Sequence, residues 1–564
     1  MIITNLEIKN YRGIKNADIK FPLDSRIICF IGAGDSTKST LLRAIEWNLW
    51  PSWNLVISDS DFYECDTSEN IIIRCTYAEL PKKLIAEDKF GLYIRRPNIP
   101  IGEGIDDEPI DNEPMCITVQ LTIGGSLEPK WEVVCNRNDP KNLSLADRKL
   151  LLSNSVGANC SKDMVWGKFS VLQKYADAKG TLQDVQTTTL RDIAQKADLH
   201  ELDDISEAVK AVGEKYGVGF NGEISNHMQI QGVSLTTTVG LFDGKAPLSQ
   251  RGLGSQRLLS MGLNINATSN NSLLLIDEIE SGLEPYRLRN LINELRQSHE
   301  ATGQIIMTTH SPIAVAECTI SEILVVQSVN GETKTYTLKS NNPELNKSMQ
   351  AELRRNAEAF LSKRIIVCEG KTEIGFIRAL DTYLSNSAQF RLAYSGVSTA
   401  DGNGESIFDC ALRLMACGYD VCLFMDSDKE QEQKEELRGE GISVFDWTEP
   451  NAFEEQVFQD VSTDIVNQLI EIAIAEHGID SVKSRLPASI KYQQEENKIL
   501  FERLDSEQRR SLGKIAKTKK VEWYKRIDLG ESVGNVIFNA WDSIDEKCKL
   551  KQVIDSVIEW AKHD

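Results

Sequence analysis

Two apolar runs that each end at carboxylates constrain the fold of this chain more than any other feature. Residues 364–368 (Arg-Ile-Ile-Val-Cys) and 421–425 (Val-Cys-Leu-Phe-Met) are rich in β-branched and apolar side chains. The carboxylates that follow these runs are Glu369, Glu373, Asp426 and Asp428. Such runs are typical of buried parallel strands, and open α/β sheets bind ligands at the carboxyl edge of their strands. The pattern therefore predicts a parallel α/β sheet with four acids at one edge.

Four carboxylates gathered at one sheet edge would repel one another unless they shared a cation. Carboxylate oxygens are hard ligands that suit Mg²⁺ or Mn²⁺. A cation held in this way assists attack on a phosphodiester or its transfer. The alternative is that these acids are ordinary solvated loop residues, which are common after strands.

Length and composition indicate several ordinary globular domains. The chain has 564 residues, 41% of them hydrophobic and 26% charged, which is too long for a single core. Residues 1–8 predict a strand and not a signal peptide, and no apolar run approaches the ~20 residues of a membrane span. The twelve cysteines include no Cys-x-x-Cys pair, so we expect reduced thiols, a cytoplasmic location and no membrane partner. The net charge of −21 argues against nonspecific coating of nucleic acid, but it leaves room for a local basic groove.

A phosphate-binding loop is predicted near the amino terminus, between the apolar run 26–31 and a helical pattern that begins near residue 41. Its residues are Gly32, Gly34, Asp35, Ser36, Thr37, Lys38, Ser39 and Thr40. By the general template for such loops, Lys38 binds the terminal phosphates and Ser39 binds Mg²⁺. Thr37 stands where that template has glycine. Because a β-branched residue resists positive φ, the loop could be reshaped or its nucleotide binding weakened. The alternative is a helix amino terminus that binds nothing.

Residues 248–257 resemble the signature loop of ABC-type ATPases. In that loop a serine and glycines, here Ser249, Gly252 and Gly254, face a nucleotide that another subunit holds. The resemblance therefore implies a homodimer or a larger homo-oligomer.

Two further segments follow in the order that ABC-type ATPases have. Residues 273–278 match a Walker B strand, in which Asp277 would hold Mg²⁺ through water and Glu278 would polarise the attacking water. Residues 304–312 match a strand that ends at a switch histidine, His310, which would sense the γ-phosphate. A lone histidine after a strand is more often structural, but the order of the motifs favours the ATPase interpretation.

The pair of acid-tipped strands resembles the Toprim domain of topoisomerases, primases and some nucleases. An ABC/SMC-like ATPase followed by a Toprim domain resembles the OLD (overcoming lysogenization defect) nucleases, including Gabija-type and retron-linked antiphage effectors. The resemblance implies Mg²⁺- or Mn²⁺-dependent cleavage or nicking of DNA under the control of ATP with Mg²⁺. It also implies a possible defence-system partner, either a helicase or a reverse transcriptase with its RNA–DNA product.

The resemblance also adds residues to the nuclease site. Relatives place a further acid in the region of Glu454 and Glu455, and a late lysine that completes the centre. Lys525 is our first choice for that lysine and Lys520 the second, within a basic stretch at 509–526 that suits a DNA backbone. One metal near Glu369, Asp426 and Asp428 would activate water, and a second near Glu373 and the later acid would stabilise the leaving oxygen. The alternative for the basic stretch is a solvated helix face.

The expected fold class is α/β, with the following domains. We expect an ABC-type ATPase domain over 1–342, interrupted over about 65–245 by an insertion of antiparallel strands and helices. Residues 190–216 of that insertion suggest a helical dimerisation arm. A helical linker over 343–362 leads to a Rossmann-like Toprim domain over 363–470, with a strand at 390–394 before a glycine-rich loop at 396–404. The chain from residue 461 is expected to be helical throughout, and 471–564 to complete the nuclease site.

Two other functions fit parts of this pattern. The first is an SMC-like, ATP-driven DNA clamp or repair scaffold whose Toprim fold is catalytically silent, against which the retained carboxylates argue. The second is a topoisomerase or primase, which the lack of zinc-ribbon cysteine pairs disfavours. The sequence leaves open the trigger, the DNA preference, the oligomer size and whether ATP is hydrolysed or only bound.

Overall fold

The computed structural model divides the chain into two compact units, Met1–Gln350 and Ala351–Asp564. The residues that it describes are 1–52, 54–97, 105–109, 114–151, 153–156, 164–166, 172, 199, 202–231, 236–267, 273–387, 390–427, 431–447, 450–518 and 521–562.

The amino-terminal unit is built on a large mixed sheet. Its described strands are β1 (Ile2–Tyr11), β2 (Ile14–Lys20), β3 (Ile27–Ile31), β4 (Ile71–Ala78), β5 (Arg96–Pro97), β6 (Ile105–Asp106), β7 (Cys116–Ile123), β8 (Pro129–Val134), β9 (Lys141–Asn142), β10 (Ser153–Val156), β11 (Ile224–Gln231), β12 (Thr236–Asp243), β13 (Ala246–Pro247), β14 (Leu273–Ile276), β15 (Gln304–Thr308), β16 (Ile323–Val329) and β17 (Glu332–Thr337). Twelve of them form one sheet in the order β10-β14-β15-β3-β16-β17-β2-β1-β4-β7-β8-β9. The strands from β10 to β16 in that order pair in parallel, whereas β2, β1, β4, β7, β8 and β9 pair antiparallel.

The parallel part of this sheet places the predicted ATPase motifs side by side. Strands β3, β14 and β15 are fully buried apolar runs, and β15 pairs with both β3 and β14. The phosphate-binding loop after β3, the Asp-Glu after β14 and the histidine after β15 therefore meet at one carboxyl edge. The described helices of this unit are α1 (Lys38–Asn48), α2 (Leu145–Arg148), α3 (Asp203–Lys215), α4 (Leu253–Ala267), α5 (Pro285–Thr302), α6 (Pro312–Glu317) and α7 (Pro343–Arg355). The unit boundary falls within α7.

The carboxyl-terminal unit contains a smaller sheet that is parallel throughout. Its strands β18 (Arg364–Cys368), β19 (Val397–Asp401), β20 (Asp420–Phe424) and β21 (Ser443–Phe445) lie in the order β19-β18-β20-β21. The two acid-tipped runs are strands β18 and β20, as the sequence predicted, and the structure shows that they pair directly and in parallel. The helices are α8 (Lys371–Ser387), α9 (Ile407–Ala416), α10 (Gln431–Gly439), α11 (Phe453–Asp460), α12 (Thr463–His477), α13 (Ile479–Lys483), α14 (Ser506–Lys517), α15 (Ile527–Asn539) and α16 (Lys549–Lys562).

Helix α15 packs very closely on α8, at glycines of both helices. A Cβ atom added at Gly375 would lie 2.1 Å from the carbonyl oxygen of Ile527, and one at Gly530 would lie 2.3 Å from that of Thr372. Larger residues at either glycine would push the two backbones apart. The crossing holds α15, and the residues just before it, against the helix that carries Glu373.

Two local predictions are wrong. Residues 390–394 were expected to form a strand, but Leu392–Ser395 is a 3₁₀ turn, and the strand lies within the predicted glycine-rich loop at Val397–Asp401. Arg391 and Leu392 instead bond to Asp381 of α8, which fixes a turn at this point. The chain after residue 461 is not helical throughout, because Gln493–Glu495 (β22) and Lys498–Leu500 (β23) form a short hairpin. Glu496, at the tip of that hairpin, has a φ of 41°, a conformation that helices do not use.

The predicted helical arm at 190–216 is described only in part. Helix α3 (Asp203–Lys215) falls in it, while most of 190–201 lies outside the described residues. Within the described ranges, every helix is too short or too polar to cross a lipid bilayer.

Candidate functional site

The phosphate-binding loop is closed around its own lysine. The Lys38 ammonium is buried and donates to the carbonyl oxygens of Gly32 at 3.0 Å and Ala33 at 2.6 Å, and to the Ser36 hydroxyl at 3.0 Å. Burial lowers the pKa of Lys38 to about 8, against the opposing effect of nearby acids that include Asp35 and Asp277. A lysine held in this way by carbonyls is available to a terminal phosphate only if the nucleotide replaces those partners.

Thr37 adopts the positive φ that the phosphate-loop template requires, although it is β-branched. Its φ is 67° and its ψ is 11°, in the left-handed region. The Thr37 hydroxyl bonds to the Ser36 carbonyl at 2.7 Å and lies 3.1 Å from the Thr333 hydroxyl. These bonds offset part of the ~1–2 kcal/mol that the conformation costs a non-glycine residue. The loop therefore keeps the shape of the template in spite of the substitution.

The residues predicted to hold magnesium at the nucleotide site are in direct contact. The Ser39 hydroxyl donates to the Asp277 carboxylate at 2.9 Å, and the Thr308 hydroxyl donates to the same oxygen at 2.7 Å. The same Thr308 hydroxyl accepts a hydrogen bond from the Glu278 amide at 2.8 Å. Thr308, which ends β15, thus fixes both members of the Asp-Glu pair. Ser39 and Asp277 supply the oxygen donors that Mg²⁺ prefers, so these residues fit a magnesium ion bound with ATP.

Glu280 is a member of this site that the sequence reasoning missed. Its carboxylate accepts from the Thr309 hydroxyl and from the His310 amide, both at 2.6 Å. The only sequence signal was a third acid soon after the Walker B pair. The contact between Glu280 and His310 depends on the pairing of β14 with β15, which the sequence does not show.

The signature-like loop packs on the turn that follows the Walker B strand. Ser249 lies in a short 3₁₀ turn, and its carbonyl accepts from the Gln256 side chain at 3.0 Å. Gly252 precedes helix α4, and a Cβ atom at Gly254 would lie 2.3 Å from the carbonyl oxygen of Gly282. The predicted residues of this loop therefore lie at the start of one helix.

In the carboxyl-terminal unit, the strand pairing brings Glu369 and Asp426 together. The Asp426 amide donates to the Glu369 carboxylate at 3.2 Å. Asp426 also accepts from the Phe453 amide at 2.7 Å, where helix α11 begins. This contact places the first turn of α11, with Glu454, beside the sheet edge. Asp428 lies outside the described residues.

Glu454 and Glu369 are close enough to Glu373 to affect its ionisation. Burial, followed by the charges of Glu454 and Glu369, raises the pKa of Glu373 to about 8. Burial also raises the pKa of Glu454, against the effect of Lys525 and Lys517. Acids with raised pKa values that share one site are a common mark of a functional centre.

Of the two late lysines, Lys525 is described and Lys520 is outside the described residues. Lys525 bonds to Glu522 at 2.9 Å, which is the main reason why its pKa is raised, and the charges of Glu454 and Glu373 raise it further. Thr372 donates to the Tyr524 carbonyl at 3.1 Å and so anchors the residue before Lys525 to α8. Tertiary packing therefore brings Lys525 to the acids across more than 150 residues of sequence.

Glu455 differs from its neighbour Glu454, although the sequence offered both as accessory ligands. Its carboxylate accepts from the Ala452 amide at 3.0 Å at the start of α11 and lies 3.6 Å from Lys517. Glu455 is therefore engaged in holding the helix end.

The acids meet at one edge without forming a closed cage. Among the residues that the structure describes, no three His, Cys, Asp or Glu side chains stand close enough together to hold a metal ion. Glu369, Glu373, Asp426 and Glu454 nevertheless supply only oxygen donors, and burial raises the pKa of Glu373 to about 8. This donor set fits a hard divalent cation.

Two family models cover the amino-terminal unit. Residues 1–189 match a family described as "AAA ATPase domain". Residues 169–316 match a family described as "AAA domain, putative AbiEii toxin, Type IV TA system". Residues 1–316 thus carry matches to AAA-type ATPase domains, and they include the phosphate-binding loop, Asp277, Glu278 and His310.

A curated relative is similar over part of the chain. The "Old nuclease" of Escherichia phage P2 is 26% identical over 198 residues, which are 32% of this chain. The match spans 33% of that relative's own length.

Solved structures of SMC heads are similar in part. A crystal structure of the SmcHead bound to the C-winged helix domain of ScpA is 16% identical and covers 62% of this chain and 100% of its own, with a TM-score of 0.38. The SMC head domain from Thermotoga maritima is 15% identical and covers 60% of this chain and 100% of its own, with a TM-score of 0.32.

Proposed function

We propose that this protein is a divalent-metal-dependent DNA endonuclease of Toprim type, regulated by ATP at its ATPase site. The observation that carries the proposal is the meeting of Glu369, Glu373, Asp426 and Glu454 at one sheet edge, with Lys525 beside them. Acids crowded together with a lysine at the carboxyl ends of parallel strands suit phosphodiester chemistry better than a structural role.

A divalent cation would have to draw Glu369, Glu373, Asp426 and Glu454 closer together than they stand among the described residues, with Asp428 as a further ligand. When bound, it would activate water and neutralise charge that develops on the phosphate. The protein also supplies a cationic side chain near these acids. Lys525 brings a positive charge beside Glu373 and Glu454, where it would stabilise an anionic transition state.

The ATPase site is the second part of the proposal. Adjacent parallel strands bring together the residues of this site: Lys38 and Ser39 begin the helix after β3, and Asp277, Glu278 and His310 follow β14 and β15. The Lys38 ammonium is held by its own loop, so nucleotide binding must rearrange that loop. We therefore propose that bound nucleotide restrains or releases the nuclease, with ATP hydrolysis as the resetting step. The Thr37 conformation supports a working loop.

The partial match to a phage protein named as a nuclease supports the same function. We further propose a role in bacterial antiphage defence, with DNA as substrate and a homodimer or larger homo-oligomer as the working form. A co-encoded helicase or reverse transcriptase would be the kind of partner that triggers it.

The test is cleavage of supercoiled and linear DNA by the full-length protein with Mg²⁺ or Mn²⁺, with and without ATP. We expect the wild type to nick or cut, and Glu369→Ala to lose cleavage by on the order of a hundredfold or more, since one metal ligand is removed. Lys38→Ala should alter the response to ATP while leaving the metal requirement in place.

Glu454→Gln and Glu455→Gln form a matched pair on one helix turn. Glu454→Gln should lose cleavage and keep its melting temperature. Glu455→Gln should keep cleavage and melt at a lower temperature, because it weakens the bond to the Ala452 amide. Equal loss of cleavage in both variants would contradict the proposal that Glu454 is a metal ligand.

If the wild type cuts no DNA under any of these conditions and titrates no Mn²⁺ at the acidic site, the nuclease proposal fails. An ATP-driven DNA clamp with a silent Toprim fold then becomes the better interpretation. Phage plating on cells that express the wild type or Glu369→Ala tests the defence role separately.

A further inference from the structure

Glu280 connects two parts of the ATPase site, the turn after β14 and the segment with His310 that follows β15. It belongs to the tight turn after β14, in which the Ser281 amide donates to the Glu278 carbonyl and the Leu283 amide to the Glu280 carbonyl, both at 2.9 Å. Its side chain reaches away from this turn to the end of β15. There it accepts from the Thr309 hydroxyl and the His310 amide, each at 2.6 Å.

These two bonds are strong and well supported. In both bonds the acceptor is the Glu280 carboxylate, and hydrogen bonds to a charged acceptor are roughly twice as strong as neutral ones. Thr309 is fully buried, and its hydroxyl also accepts from the Ser311 amide at 3.0 Å. The backbone on both sides of His310 is therefore fixed through one carboxylate, while the His310 side chain is exposed.

The same turn contacts the signature helix. Gly282, two residues after Glu280, has a φ of 73°. A Cβ atom added at Gly254 would lie only 2.3 Å from the Gly282 carbonyl oxygen, so the turn packs closely on the start of α4. The turn and the start of α4 therefore cannot move independently without opening this contact. A continuous path runs from His310 through Glu280 and Gly282 to Gly254.

Glu280 also contributes to the charge around the phosphate lysine. It is one of the acids whose negative charge favours the protonated form of Lys38. A terminal phosphate bound at Lys38 would bring further negative charge towards Glu280. Its repulsion would act on the carboxylate that holds His310.

We propose that Glu280 is a positioning residue that holds His310 in place and links its movement to the signature helix through the turn at Gly282. The inference rests on the proposed ATP-dependent control and names the side chain that passes the nucleotide signal within one subunit. Glu280 touches neither phosphate nor water in this role, and it acts through His310 and the turn.

The variants separate position from charge. Glu280→Gln keeps one acceptor for the His310 amide, and its amide NH₂ can donate to the Thr309 hydroxyl, so both contacts survive without the negative charge. Glu280→Ala removes both contacts. Thr309→Val removes one of them at nearly constant shape. It also removes the acceptor of the Ser311 amide, so its effect is read at the His310 amide. Glu284→Gln is the matched control, because Glu284 lies in the same segment, is exposed, and pairs only weakly with Arg287 at 3.2 Å.

The first measurement is amide hydrogen exchange of the full-length protein without nucleotide, read in peptides that span 304–318. We expect Glu280→Ala to speed exchange at His310 and Ser311 on the order of ten- to a hundredfold, which matches loss of a bond to a charged acceptor. Thr309→Val should give a smaller increase at His310, and Glu280→Gln only a small one because both contacts remain without the charge. Glu284→Gln should stay at the wild-type rate.

The second measurement is steady-state ATP turnover together with the affinity for a fluorescent ATP analogue. Glu280→Ala should lower kcat roughly tenfold with an unchanged Kd for the analogue, and Glu280→Gln should restore most of kcat. If Glu280 served only the fold, its removal would lower kcat and the melting temperature and would also raise the Kd for the analogue.

The proposal is overturned if neither Glu280→Ala nor Thr309→Val changes exchange at His310, or if Glu280→Gln is as impaired as Glu280→Ala. Should Glu280→Ala not fold, Thr309→Val carries the exchange test. Because exchange is read without ATP or DNA, a protein that neither hydrolyses ATP nor cuts DNA still tests this inference, and failure of the proposed function remains distinguishable.

Discussion

Ser39 and Asp277 contact each other directly, the hydroxyl of one donating to the carboxylate of the other at 2.9 Å. The two residues come from different strand ends, separated in sequence by 238 positions. Ser39, and Asp277 through water, would hold the magnesium bound with ATP at this contact, so binding of the ion would break the hydrogen bond between them.

Ser39→Ala should therefore weaken nucleotide binding only where magnesium takes part. We expect affinity for a fluorescent ATP analogue to fall roughly tenfold or more with Mg²⁺ and to change little in EDTA, since a contact to a charged group is worth ~1.5–3 kcal/mol. Ser532→Ala, which removes an exposed hydroxyl in the other unit, is the control. Equal weakening with and without Mg²⁺ would show that Ser39 does not act through the metal.

Thr37 offers a test of how the loop tolerates a β-branched residue at positive φ. Thr37→Val keeps the branch and loses the hydroxyl bonds to Ser36 and Thr333, so it should destabilise the amino-terminal unit by about 1–2 kcal/mol. Thr37→Gly also loses these bonds and adds freedom to the unfolded chain, but it relieves the strain of the positive φ, so its stability should lie between those of Thr37→Val and the wild type.

Urea unfolding of the two Thr37 variants, followed by far-UV circular dichroism, measures this difference. The expected order of stability is wild type, then Thr37→Gly, then Thr37→Val. If Thr37→Val proves as stable as the wild type, the hydroxyl bonds contribute nothing to holding the loop.

The close crossing of α8 and α15 predicts a strong effect of one methyl group. Gly375→Ala would place a Cβ atom 2.1 Å from the Ile527 carbonyl oxygen, so the helices must separate at a cost of about 1–3 kcal/mol or more. Gly439→Ala, at a helical glycine with no atom near its Cβ position, is the matched control and should be neutral or stabilising. Thermal unfolding should show a lower melting temperature for Gly375→Ala alone.

A buried ion pair gives the carboxyl-terminal unit a predictable response to pH. Arg413 donates to one Glu352 oxygen through Nε at 2.9 Å and Nη2 at 2.6 Å, and burial raises the pKa of Glu352 in spite of this partner. A carboxyl whose folded pKa is raised contributes stability that is fully present below its unfolded pKa. That contribution is lost as pH rises through the folded pKa.

Arg413→Met leaves the Glu352 carboxylate buried without its cation and raises the pKa of Glu352 further. We expect a loss of about 3–5 kcal/mol near pH 8, and a smaller loss near pH 5 where the carboxyl gains a proton. The double variant Glu352→Leu/Arg413→Met should recover much of the stability and lose the pH dependence. Urea unfolding at pH 5 and pH 8 measures both effects, and equal losses at the two pH values would contradict the argument.

Local sequence patterns were sufficient for much of the fold. Buried apolar runs predicted β3, β14, β15, β18 and β20, because a parallel strand covered on both faces is apolar along its whole length. The same patterns failed at residues 390–394 and 493–500. There a turn bonded to Asp381 and a short exposed hairpin depend on neighbours far away in sequence or on local turn conformation.

For the site, the sequence determined which residues end the strands, since a strand and the acid after it are adjacent in the chain. Glu369, Asp426, Lys38, Ser39 and Asp277 could all be named in this way. Tertiary structure alone decided which residues from separate elements meet them. The pairing of β14 with β15 aims Glu280 at His310, α11 separates the role of Glu454 from that of Glu455, and the glycine crossing of α8 and α15 brings Lys525 to the acids. Such meetings depend on packing between distant segments, which no local pattern encodes.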